Sequence, residues 1–143
     1  MKKPKKKKFK ILAAGDFHGD SATAKKLAER AKKEKVDLVV LTGDITGIFE
    51  VEDLLKPFID KGEKVVFVPG NWEESTTAKF LSKHYGVKNI EDHYVKYEDV
   101  GIFGVGSPDW QLSLDEEKTF KKLKKNFNKI KDLEKKIMVS HIH

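Results

Sequence analysis

Apolar and polar positions along the chain fall into two alternating rhythms. Phe9–Gly15 (FKILAAG), Val36–Thr42 (VDLVVLT) and Lys64–Val68 (KVVFV) are short, nearly continuous apolar runs, the pattern of buried strands. Between them the spacing turns helical. Ala24, Leu27, Ala28 and Ala31 mark a helix over Ser21–Lys35, with Ser21 as its expected N-cap. Val51, Leu54, Leu55, Phe58 and Ile59 mark a second that Gly62 ends. A third, capped by Ser75, carries Ala78, Phe80 and Leu81 and runs to about Gly86. Strands alternating with helices predict an α/β layer fold with parallel pairing. The rhythm then changes. Tyr94–Tyr97 and Val100–Val105 read as a hairpin turning at Glu98-Asp99. Asp115–Lys131 reads as a charged helix with Phe120, Leu123 and Phe127 on one face, and Lys136–Ser140 as a last strand.

Composition changes this picture in three places. The 143 residues include no Cys, which excludes disulfides, thiolate metal sites and a Cys nucleophile. The net charge of +6 suggests a nucleic-acid binder, but residues 1–10 hold seven Lys; the remainder balances 22 basic against 23 acidic residues. The basicity thus belongs to a tail, residues 1–8, expected to be solvated or to make a weak nucleic-acid contact. Residues 9–143 read as one domain. No apolar run approaches the roughly 20 residues of a membrane span, so a cytoplasmic protein without membrane contact is expected. Charged residues reach 36%, and only Arg30 among 29 basic residues is Arg. That balance fits a thermophile and equally an AT-rich genome.

Candidate chemistry sits directly after the expected strands. Asp16 and His18 follow the first, Asp44 the second, Asn71 the third, and His141 the last. Ligands in open α/β sheets bind at the carboxyl ends of strands, so these side chains can converge on one rim. Asp, His and Asn together suit Mn²⁺, Fe²⁺, Zn²⁺ or Ni²⁺. Each cluster alone is a common turn signal; their order and shared placement carry the inference. His84 and His93 read as surface residues, and Asp109-Trp110 as a turn.

Three blocks in this order, Gly15-Asp16-Phe17-His18-Gly19, Leu41-Thr42-Gly43-Asp44 and Val68-Pro69-Gly70-Asn71-Trp72-Glu73, resemble the calcineurin-like metallophosphoesterase superfamily, in its small prokaryotic and archaeal form. Gly104-Val105-Gly106-Ser107-Pro108 and the strand leading to His141 fit the same pattern. The resemblance implies a β-sandwich of two mixed sheets flanked by helices. It also implies two divalent metal ions. Asp16 and His18 would bind the first, Asp44 would bridge, and Asn71 and His141 would bind the second. A hydroxide bridging the metals would then attack a phosphomonoester or phosphodiester, with Asp16, His18, Asp44 and Asn71 as the catalytic set and Asn71 and Trp72 facing the substrate.

Two departures qualify what the resemblance implies. Trp72 stands where many members carry a His that assists the leaving group; it would pack at the rim or stack on a substrate base. The family's later G-H-x-H block has no counterpart before the last residue, so the domain reads as incomplete at its C-terminus. His141 is then the earlier single ligand and His143 a bystander, the alternative being that the two form the late pair after a deletion. A sheet lacking strands exposes edges that can pair with another chain. The alternatives to catalysis are a non-catalytic binding protein of this fold and a nucleic-acid-associated protein using the Lys tail.

Overall fold

The computed structural model describes residues 8–47, 52–110 and 115–141. Residues 1–7 of the expected tail, Val51 and His143 lie outside the described residues. Among those described, the order is β1 (Ile11–Ala14), α1 (Ser21–Glu34), β2 (Leu38–Leu41), α2 (Lys56–Asp60), β3 (Val65–Phe67), α3 (Ser75–Tyr85), β4 (Lys88–Asn89), β5 (Tyr94–Tyr97), β6 (Val100–Val105), α4 (Glu116–Ile130) and β7 (Lys135–Ser140). No helix among them is long and apolar enough to cross a membrane.

Strands β1–β4 pair in sequence order, all parallel. Crossovers of one hand that always step the same way put every connecting helix on one face of a sheet. The packing follows that rule. Val39, Leu41, Val65 and Phe67 face α1–α3 through Ala24, Ala28, Ala31, Phe58, Ala78 and Leu81. The alternate residues Leu38, Val40, Val66 and Val68 face the other way, onto Val100, Ile102 and Val139. These belong to a second sheet, ordered β5-β6-β7, in which β5–β6 is antiparallel and β6–β7 parallel. The period-two alternation of the central strands therefore serves two cores, and the expected sandwich flanked by helices forms, with one sheet parallel and only the other mixed. Gly104 lets the sheets close, since a Cβ there would meet Val68 Cγ1 at 2.6 Å.

Several local expectations are corrected. Asp20, not Ser21, caps α1, its carboxylate accepting from the Ala22 and Thr23 N–H groups. The second helix spans only Lys56–Asp60, because Pro57 tolerates a helix start but not a preceding turn. Leu54 and Leu55 are buried all the same. Glu74 occupies the cap position of α3 without a side-chain bond to the backbone of the first turn, and the Ser75 hydroxyl bonds Asp109 instead. β4 is two residues long, and no apolar periodicity announces it. On α4 the buried residues are Asn126 and Ile130, while Phe120 is 64% exposed. Gly101 explains the choice: Ile130 fills the space that a Cβ there would take.

Candidate metal centre

Asp16 and His18 leave β1, Asp44 leaves β2, Asn71 and Trp72 leave β3, and His141 leaves β7. All five candidate ligands meet at one rim. The loops are braced as continuations of the parallel ladder. Asp16 N–H donates to the Gly43 carbonyl at 2.9 Å, His18 N–H to that of Asp44 at 2.9 Å, and Ser107 N–H to that of Pro69 at 3.1 Å.

Three of the candidates sit in left-handed backbone: Asp16 at φ 58°, His18 at 47° and Asp44 at 49°. Such a conformation costs roughly 1–2 kcal/mol per residue and persists where surrounding bonds enforce it. Asp16, His18 and Asp44 offer ligand atoms that all lie within 4.8 Å of one another. Asp44 Oδ2 lies 3.9 Å from His18 Nε2 and 3.5 Å from His141 Nε2, so one carboxylate oxygen faces both histidines. Asp44 Oδ1 is fixed by the Trp72 N–H at 2.9 Å.

His141 is held by its other ring nitrogen. Nδ1 lies 2.8 Å from the Thr42 carbonyl, which can only accept, so Nδ1 carries a proton, and in the neutral ring Nε2 is the nitrogen left to bind a ligand. Nε2 then faces Asn71 Oδ1 at 3.1 Å and Asp44 Oδ2. With the ring neutral, Nε2, Asn71 Oδ1 and Asp44 Oδ2 are three lone-pair donors facing one another, an arrangement that a cation satisfies. The donor set therefore fits a metal. The two halves differ in exposure: the side chains of Asp44 and His141 are 6% and 11% exposed, those of His18 and Asp16 41% and 67%. The rim is therefore open to solvent on the His18–Asp16 side.

Glu73 is the residue whose part is least apparent from sequence. Fully buried, its carboxylate accepts the backbone N–H groups of Asp44 (2.9 Å), Ile45 (2.7 Å), Thr46 (2.8 Å) and Gly70 (2.6 Å), and the Thr46 hydroxyl. It ties the loop after β2 to the loop after β3. Gly70 makes room for that join, since a Cβ there would lie 2.1 Å from Asp44 Oδ1.

Asp109 and Trp110, read from sequence as a turn, form one that is anchored to the rim. Their N–H groups donate to the carbonyls of Glu73 and Asn71, each at 2.9 Å. The Asp109 carboxylate accepts the Ser75 hydroxyl and, at 2.8 Å, the Ser75 N–H. These bonds, the hydroxyl first, hold the Asp109 carboxyl below its ordinary range. Trp72 packs edge-on against His18, with centroids 4.8 Å apart, and Trp110 packs on Trp72 at 5.1 Å. Of the remaining histidines, His84 stacks on Phe80 and His93 is exposed near a turn, as expected.

A family model described as calcineurin-like phosphoesterase matches residues 9–142. The crystal structure of TT1561 of Thermus thermophilus is similar with a TM-score of 0.74 at 17% identity, over 92% of this chain and 67% of that one. At that identity the likeness speaks for the fold. Comparison with curated proteins gives no match.

Proposed function

Because the chain belongs to the calcineurin-like phosphoesterase family, we propose that it hydrolyses a phosphomonoester or phosphodiester with the help of two divalent metal ions. The observation that carries this is the position of Asp44 Oδ2 between His18 and His141. Asp16 and His18 would hold one ion, Asn71 and His141 the other, and Asp44 both. Mn²⁺, Fe²⁺, Zn²⁺ and Ni²⁺ all suit such ligands. When bound, a pair of ions supplies an acidified water as nucleophile and neutralises charge on the phosphoryl oxygens.

The chain's own contribution is orientation. The Thr42 carbonyl fixes the His141 tautomer, so the ring presents a lone pair without rearrangement. The Trp72 N–H occupies Asp44 Oδ1 and leaves Oδ2 to the site. Glu73 locks the two loops that carry Asp44 and Asn71, so that their separation is set before a ligand arrives. The greater exposure of Asp16 and His18 leaves the phosphate an open side from which to enter.

Mn²⁺-dependent hydrolysis of bis-p-nitrophenyl phosphate and p-nitrophenyl phosphate tests the proposal. The native protein should turn over at least one of them, and Asp44→Asn should lower the rate at least about a hundred-fold, the loss typical when charge stabilisation of a transition state is removed. Unchanged hydrolysis in Asp44→Asn contradicts the proposal. Tight metal binding without turnover of either ester would favour a non-catalytic binding protein instead.

A further inference from the structure

The sequence contains two tryptophans, and both stand at the rim of the candidate metal centre. Trp72 contacts His18; Trp110 extends the row outward and is 51% exposed. An indole half in water is a poor way to bury apolar surface, yet this one is held firmly. Asp109 and Trp110 are consecutive non-glycine residues at positive φ, 62° and 59°. The Trp110 N–H is bonded to the carbonyl of Asn71, itself a candidate ligand, and the Asp109 N–H to that of Glu73. The Asp109 carboxylate is pinned by Ser75 at the start of α3. A left-handed pair fixed at three points keeps an open aromatic ring beside the reacting centre.

A ring so placed has one evident chemical use. Stacking on an indole selects flat π-faces and tolerates every base, because each nucleobase presents one. In a nucleotide the base stands one sugar away from the phosphorus, and the row His18–Trp72–Trp110 leads outward from the site in two ring contacts. The geometry points to a substrate whose phosphate ester carries a nucleobase, with Trp110 as the specificity-determining platform and Trp72 as its support. This rests on the phosphoesterase reading above and names its substrate class.

Matched substrates separate the two ideas. With Mn²⁺ present, kcat/KM is measured for adenosine 5′-monophosphate against ribose 5-phosphate, and for a dinucleoside monophosphate against glycerophosphocholine. In at least one pair the base-bearing ester should be preferred about ten-fold or more, and Trp110→Ala should collapse that ratio while Trp110→Phe keeps most of it. Intrinsic fluorescence gives a readout independent of turnover, since both tryptophans belong to the row. Adenosine 5′-monophosphate should quench it saturably, and ribose 5-phosphate should not. Equal treatment of base-bearing and base-free esters, or a ratio unmoved by Trp110→Ala, overturns the base platform and leaves the metal chemistry standing. Loss of the metal chemistry is read separately, from Asp44→Asn.

Discussion

Glu73 is the residue on which the geometry of the rim most depends. Its buried carboxylate gathers four backbone N–H groups from two loops, and among the described residues no buried side-chain polar atom lacks a partner. Replacing it by Gln swaps one acceptor oxygen for an amide donor facing N–H groups. Bonds to a charged group contribute about 1.5–3 kcal/mol each and a stranded buried donor costs more. Glu73→Gln should therefore lose about 3 kcal/mol or more, seen as a melting temperature lowered by roughly 10 °C. A shift within about 2 °C would mean that the loops hold themselves. Sequence shows Glu73 only as part of a motif. Its partners are main-chain groups, and those in the other loop lie 27–29 residues away, where no side-chain pattern reports them. Asp16, His18, Asp44, Asn71 and His141 are legible because each stands in a polar cluster directly after an apolar run. Trp110 is not, because nothing local distinguishes an anchored turn from a free one.

At the scale of elements, legibility follows periodicity. Strands β1–β3 and helices α1 and α3 carry clear patterns and form where expected, to within a few residues. β4 has two residues and no period, so only its pairing with β3 reveals it. The apolar spacing of α4 puts Phe120, Leu123 and Phe127 on one face, and the residues it buries are Asn126 and Ile130. Helix α3 is also joined to the rim by a contact with a definite pH sign. Asp109, its carboxyl held low by Ser75, contributes stability that is present above the ordinary carboxylate range and fades as pH falls through its lowered folded value. Ser75→Ala keeps the backbone bond and loses the hydroxyl. At pH 7 it should be less stable than the native protein by no more than about 1 kcal/mol, because the pair is exposed. Urea titrations should show that gap narrowing below about pH 4. A gap that is constant or widens with acid would rule out the Asp109 linkage.

At the scale of the molecule, the chain order of strands decides where chemistry can occur. Four parallel strands wound one way leave all their connecting helices on one face and free the other for the second sheet. Their carboxyl ends share an edge, and β7, parallel to β6, delivers His141 to the same edge. The parallel layer is readable from alternating runs. The stacking of the second sheet is not readable from any local pattern and comes only from the resemblance of the motifs. The central claim is that one carboxylate serves two ions, and metal stoichiometry tests it most directly. Equilibrium dialysis against Mn²⁺ with elemental analysis should give two ions per native chain, about one for His141→Ala, and neither retained at comparable affinity by Asp44→Asn. A single ion in the native protein, or two still bound by Asp44→Asn, would contradict a shared site centred on Asp44.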